Sequence, residues 1–589
     1  MSCFAYLASM WQLPQAVVMS IVSASVGICL LSALSFVFLR EAGRVHLFAL
    51  ALIFFGLSSL YSVVTPPFHA PDEPTHFLSM LETVGRKSEA PAVIAWAKKG
   101  YFLDIKLDPE LTYKFAFDGR YPPLDSGYDN IFSALDMKAR SPLTVSIWNL
   151  ARPFLAVLDL NYCLLAMRLV NGLVVALFYA AALIVSWVLA PAPLEEQGGF
   201  PAAAAGASVL LYVPTLPFFA MHVSNYPFMI AGGILSAAIA LGVLFGGSRP
   251  SWLGALLGFS TFWLMFSGRA GFVFSLLALF LVVAGAVLPT LPCRGNSAAS
   301  RGRVSALFWL GLVSGWVLSW LIWGMFDLKT VVSGMEEALP AQLALLMRGG
   351  WVLLAIPFAF FLFEAAVAGL PSLKVGSGIA KAASFLGLFL FSIGLVGPVF
   401  QASHHLRNIE TSAPKGPVTT YVKDALIAFW GSQGLAIPDR FLVKYFWIGF
   451  GWLENIPRTD AVILLGLPVF AGGIYLWWNA FNSASWPETS RLLTWLGACT
   501  ACLAALAVGA WSMGINLHGR YLILLYLVYL PVCFSSFLSL MKNSAAMLLD
   551  RTATRKWLGE SRVVAIMLMV SCLVIHSLSV NSLLTRYLR

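Results

Sequence analysis

Between Thr65 and Phe77 the chain reads TPPFHAPDEPTHF: two adjacent carboxylates, two histidines and four prolines, directly after an apolar run long enough to cross a bilayer. Asp72 and Glu73 stand where such a span would meet water, so they can stay ionised without the cost of a charge at the bilayer centre. Such a pair can take a proton from a hydroxyl, balance a developing positive charge, or hold Mg²⁺ or Mn²⁺ with water in the remaining positions. Both carboxylates are therefore expected at the aqueous boundary, poised rather than buried. Pro74 suits the first helical position, and THFLSMLETVGR reads as a short amphipathic helix with Phe77, Leu78 and Leu81 on one side. Asp72 and Glu73 then sit at its N-terminus, where the dipole favours the ionised form of a base or cation ligand. His76, four residues beyond Asp72, can share its face.

The elements that must position this motif are transmembrane helices. Of 589 residues, 59% are hydrophobic and only 11% charged, which excludes a soluble domain. Reading apolar windows as spans finds about fourteen: 16–39, 46–64, 162–189, 201–219, 226–246, 252–267, 271–290, 305–326, 350–370, 382–400, 461–478, 493–512, 520–540 and 563–582. The fold expected is an all-α integral membrane bundle of about 13–14 transmembrane helices with two larger extracytoplasmic loops containing short helices. It divides into two first spans (1–64), a carboxylate-bearing loop (65–161), a block of spans (162–400), a second loop (401–460) and C-terminal spans (461–589). Placing the carboxylate loop outside leaves Arg40, Arg44, Arg249, Arg294, Arg301 and most other loop cations on the cytoplasmic side, as the positive-inside bias requires. The N-terminus is then outward. Its apolar run is span-length and lacks a basic leader, so no cleaved signal is expected.

The net charge of +10 lies largely in those cytoplasmic loops, so it points to anionic lipid head groups and not to nucleic acid. Eight cysteines lie mostly in or beside spans, and Cys499 and Cys502, though spaced as C-x-x-C, read as small packing residues. Gly254 and Gly258 form a G-x-x-x-G pair suited to close helix approach. The second loop gathers His404, His405, Arg407 and Lys423, a cationic group able to hold a phosphate, among the aromatic residues Trp430, Trp447 and Trp452. Those tryptophans could serve as sugar or polyprenyl contacts or as an interfacial belt. Arg520, beside His518 and Tyr521 at the start of a span, suits a lipid phosphate, with snorkelling or a structural ion pair as the competing role. For Arg168, near the outer end of its span, the same competition holds, and for the carboxylate pair the competing role is helix capping.

PPFHAPDEPTHF resembles the Asp-Glu-Pro-x-His-Phe signature of a bacterial family of polytopic membrane proteins of unknown function, grouped with the GT-C glycosyltransferases. Arg168-Leu169, YFWIGFGWLENIP (Tyr445 to Pro457) and HGRYLILLYLVYLP (His518 to Pro531) resemble three further family segments in order and spacing. The chain departs from the pattern in having Glu454 for an Asp, His518 for a Gln, and SNYPF at Ser224 to Phe228 for an acidic element. The resemblance implies an inverting transferase of the bacterial inner membrane, working on the extracytoplasmic side. It would move a sugar from a polyprenyl-phosphate carrier to a glycan or lipid-linked acceptor. Asp72 would be the base, Glu73 and His76 its helpers, Asp72 and Glu73 the only metal candidates, and Arg520, His518, Tyr521, Arg168 and Glu454 substrate contacts. Two other readings stay open: an O-antigen or exopolysaccharide polymerase or ligase, and a transporter or flippase of lipid-linked sugars. The latter would call for charges deep inside several spans, where this chain has mainly Glu364.

Overall fold

The computed structural model describes residues 3–38, 44–68, 73–96, 141–189, 209–245, 251–267, 269–287, 486–512, 522–548 and 561–588, with isolated residues between 312 and 478. Outside them lie Asp72, His404, His405, Arg407, Trp447, Trp452, Glu454, His518, Arg520 and Tyr521, and nearly all of the windows between 305 and 478. Among the described residues the chain is all helical. Four helices are long and apolar enough to cross a bilayer, which makes this a helical membrane protein. They are α2 (Gln15–Phe38), α3 (Arg44–Val64), α6 (Leu160–Leu189) and α8 (Tyr226–Phe245).

Around them stand α1 (Cys3–Trp11), α4 (Glu73–Thr83), α5 (Pro142–Leu155), α7 (Thr215–Met221), α9 (Ser251–Ser267), α10 (Arg269–Val287), α11 (Trp486–Ser512), α12 (Ile523–Leu548) and α13 (Ser561–Leu588). The central helix is α8, packed against α6, α9, α10 and α12. It is apolar all round, as a helix surrounded by protein must be, and 78% of its spanning window is buried against 22% for peripheral α2. Small residues let its neighbours close in. A Cβ on Gly285 of α10 would stand 2.9 Å from the Val243 carbonyl of α8, and one on Gly233 would run into Leu524 and Leu527 of α12. Cys499, Cys502 and Cys533 are buried and unbridged, as packing residues are.

The window 201–219 does not form one continuous span. From Val209 the chain makes a single 3-10 turn (Val209–Tyr212), breaks at Pro214, and continues as the seven-residue α7. Pro214 and Pro217 remove two backbone donors, and seven residues rise only about 10 Å. Every residue of α7 is buried, so its irregular backbone is enclosed by protein, the condition under which a membrane tolerates it. The turn is tied to distant helices through His576 of α13, whose Nε2 lies 2.6 Å from the Leu211 carbonyl and whose Nδ1 lies 3.1 Å from the Tyr61 hydroxyl of α3. The Nε2-H tautomer satisfies both bonds, donating to the carbonyl and accepting from the tyrosine.

α4 is the short amphipathic helix expected, burying Phe77, Met80 and Leu81 against Trp148 and Leu155 of α5. Past it the chain turns at Gly85 (φ +87°) and makes a 3-10 turn, Lys87–Glu89. Here Arg86 joins two parts of the chain. Its Nε and Nη2 donate to Glu89 at 2.6 and 2.7 Å, while Nη1 donates to the carbonyls of Leu155 and Leu158 at 2.5 and 2.7 Å. The guanidinium thus caps the C-terminal end of α5 and fixes the link into α6.

Two measurements test this architecture. Gly285→Val should force α10 off α8 and lower the thermal midpoint of the detergent-solubilised protein, at a cost of about 1–3 kcal/mol. Gly27→Ala, where a Cβ meets nothing within 4 Å, should not lower it; equal midpoints for the two would refute the close approach. The Arg86 guanidinium holds the Glu89 carboxyl below the usual carboxylate range, chiefly through its hydrogen bonds. The folded value is depressed, so this stabilisation is complete above the unfolded value of about 4.3 and is lost as pH falls through the folded one. Hydrogen exchange at residues 86–89 and 156–158 should accelerate in that acid window, and Glu89→Gln should abolish the pH dependence.

Candidate functional site

The carboxylate motif begins where α3 ends. A helix C-terminus leaves carbonyls without intrahelical partners and carries the negative end of the dipole. Arg168, in the third turn of α6, meets that end. Its Nη1 donates to the carbonyls of Ser62 and Thr65 at 2.8 and 2.7 Å, and its Nη2 donates to that of Pro66 at 3.1 Å. The remaining donors go to the Glu73 side chain: Nε to Oε1 at 2.8 Å and Nη2 to Oε2 at 2.5 Å. All five guanidinium N–H groups are therefore used. The cation also stacks over Trp11, 4.9 Å from the ring centroid, and the Trp11 Nε1 donates to Val63 O, another carbonyl at the same helix end.

Glu73 is equally saturated. Besides Arg168 it accepts from the backbone N–H of Phe68 at 3.2 Å and of Val223 at 3.4 Å. It opens α4, so the positive end of that helix faces the carboxylate while the negative end of α3 faces the arginine. Both side chains have 0% exposure. This corrects the expectation of a solvated dyad: Glu73 is buried, and its oxygens are committed to an ion pair. The physical reason is Arg168. A guanidinium inside an apolar bundle needs a carboxylate, and Glu73 is the one that reaches it.

The Glu73 oxygens that a cation shared with Asp72 would need are engaged by Arg168 and by two backbone N–H groups. Asp72, the other candidate ligand, lies outside the described residues. Arg168, considered as a substrate contact, is the interior partner of Glu73 and is closed to any ligand. His76 is half-buried on α4, and Lys423 is exposed.

Around the pair the backbone is held in an unusual shape. Phe68 has φ +65°, costly for a side chain with a Cβ, and is kept there by its N–H bond to Glu73 and by ring contacts to Phe77 and Trp96 at 5.7 and 4.9 Å. On the opposite side comes the segment between α7 and α8. Asn171, one turn beyond Arg168, donates to the His222 carbonyl at 2.5 Å, and Ser224 Oγ accepts from the Tyr226 N–H at 3.2 Å. The two residues just before SNYPF thus reach the site through their backbone, and Ser224 braces the turn into α8. Thr65 Oγ1 and Asn171 Oδ1 are buried and lack a hydrogen-bond partner among the described residues.

Sequence reasoning had no signal for Trp11 or Asn171. Trp11 precedes the first span in an unremarkable apolar run, and Asn171 is a single amide inside an apolar helix. An amide at that depth needs a partner, which was the one legible hint. Comparison with protein-family models, with curated proteins and with solved structures finds no match to this chain.

Removing one member of a buried ion pair strands the other. Arg168→Ala and Glu73→Leu should each destabilise the protein by about 3–5 kcal/mol. The double variant Glu73→Leu/Arg168→Ala, which removes both charges, should cost less than the sum. Thermal midpoints of the four proteins in one detergent measure this, and additive losses would show that the two side chains do not act together.

Proposed function

We propose that this chain is a membrane-embedded transferase that moves a sugar from a polyprenyl-phosphate carrier to a glycan or lipid-linked acceptor, on the extracytoplasmic face of a bacterial inner membrane. The single observation supporting this reading is the buried Glu73–Arg168 pair, which anchors the first residue of α4 at the ends of α3 and α6. Asp72 is bonded to that anchor, so its Cα lies within about 3.8 Å of a fixed point at the end of a span. A carboxylate tethered there can serve a lipid-borne substrate whose phosphate lies at the same level.

In this reading Asp72 accepts the proton of the acceptor hydroxyl. The acceptor oxygen bonds to the anomeric carbon from the face opposite the phosphate, the carbon–phosphate oxygen bond breaks with its electron pair, and polyprenyl phosphate departs. Arg520, with His518 and Tyr521, balances the phosphate charge. His404, His405, Arg407 and Lys423 form a second phosphate-binding group, and Trp447, Trp452 and Glu454 contact the sugar. Glu73 does not enter the chemistry; it holds Asp72 in place.

Purified full-length protein supplied with a panel of polyprenyl-phosphate sugars tests the reading. Transfer should fall by about 10²–10⁴-fold in Asp72→Asn, and Arg520→Ala should weaken donor binding in a folded protein. An Asp72→Asn protein as active as the wild type would remove the base. Movement of a lipid-linked sugar across the bilayer without bond cleavage would favour the flippase.

A further inference from the structure

The C-terminal half of α5 takes no part in the site, yet Val157, just past its end, is the most exposed large apolar residue among those described. Leu143, Ile147, Leu150 and Phe154 recur at spacings of four, three and four, which places them on one stripe of the helix. Val157 continues it. Exposure rises along this stripe, from 3% at Leu143 through half-buried Ile147 to 60% at Leu150, 73% at Phe154 and 81% at Val157. The stripe starts in the protein core and leaves it without changing its chemistry, so whatever covers the far end is apolar.

The two ends of α5 fix its direction. At the first, the capping residue Ser141 accepts from the Thr144 N–H at 3.3 Å and donates to the Phe266 carbonyl at 2.7 Å, next to the last residue of α9. At the second, Arg86 holds the Leu155 and Leu158 carbonyls just before α6 begins at Leu160. The end of α9 and the start of α6 both belong to the Glu73 end of the bundle. A helix of 14 residues, about 21 Å long, anchored at both ends to that end of the bundle, is too short to cross the bilayer and runs over the bundle end.

Opposite the stripe, Trp148 and Leu155 are buried in the cluster shared with α4, and Arg152 stands exposed beside them. The Arg152 guanidinium stands 3.4 Å from where a Cβ on Gly85 would be, beside the turn that carries Arg86, Lys87 and Glu89. The apolar stripe leads along the chain into Val170, Leu173 and Leu177, the exposed face of α6. On a membrane-crossing helix such a face meets lipid, the surroundings that the exposed end of the α5 stripe also suits. A helix lying along the bundle end, with an exposed apolar stripe and an exposed cation beside it, suits the boundary between head groups and acyl chains.

We propose that α5 is a bilayer-surface helix, with Leu150, Phe154 and Val157 inserted into the leaflet at the Glu73 end and Arg152 turned to the aqueous side. It then sets the height of the site. Trp148 and Leu155 of α5 pack with Phe77 and Leu81 of α4 in one cluster, so the level of α5 in the membrane is passed to the helix that Glu73 opens.

The test uses the full chain in liposomes of phosphatidylcholine and phosphatidylglycerol. Leu150→Cys, Phe154→Cys, Val157→Cys and Arg152→Cys are spin-labelled, with the equally treated wild type as the blank for native cysteines. Collision rates with oxygen, which partitions into lipid, and with a water-soluble nickel chelate give the depth. Labels at 150, 154 and 157 should collide more with oxygen, at depths of about 5–10 Å below the head groups, and the label at 152 more with nickel. Nickel-accessible labels at all four positions would put the stripe in water and overturn the proposal. Labels at 150, 154 and 157 shielded from both reagents would overturn it equally, because the cover would then be protein, either residues 97–140 or a second copy.

Discussion

A charge inside an apolar bundle must be matched, and in this protein that requirement is met by one bidentate pair, Arg168 with Glu73. The arginine neutralises the carbonyl end of α3, the glutamate receives the amide end of α4, and the two meet with no exposed surface. Each is placed where a helix dipole already favours its sign. Two charges and two helix ends are thus resolved in a single arrangement, and the chain from Thr65 to Glu73 has to take the path that allows it. The left-handed Phe68 is one consequence, since its N–H must turn to the carboxylate.

The pair also recruits segments remote in sequence. Trp11 lies over the guanidinium, Val223 donates to the carboxylate, and Asn171 holds the His222 carbonyl one turn away. The broken stretch between Val209 and Tyr226 reaches the site because it is not a span: the prolines free its backbone, and α3, α6 and α8 enclose it. Irregular backbone at such depth persists only when neighbours supply what the helix ladder does not. The His576 bridge to Leu211 is one such supply.

For chemistry, the consequence is a division of labour between adjacent carboxylates. Glu73 is spent on structure, and the proposed transfer therefore assigns its base to Asp72 alone. The oxygens that make the anchor are the ones a joint cation site would draw on. A carboxylate whose oxygens already accept from a guanidinium and two amides has little left for a metal. The Arg168 guanidinium is committed in the same way, all of its N–H groups being donated inside the protein.

The sequence alone located four of the spans and the motif that follows α3. Hydropathy summed over a window located α2, α3, α6 and α8 to within two residues at each end, because lipid and an apolar core make the same demand on about twenty consecutive side chains. The periodicity of THFLSMLETVGR likewise marked α4, with Glu73 at its start. The same averaging hid the break at Pro214, since a window of apolar residues scores alike whether its backbone is continuous or not. Only the tertiary structure decided which carboxylate was buried. Arg168 and Glu73 stand 95 positions apart, and no local pattern records that they meet. Pairing of charges depends on distance in space and on the exclusion of water, and both exist only once the helices have packed.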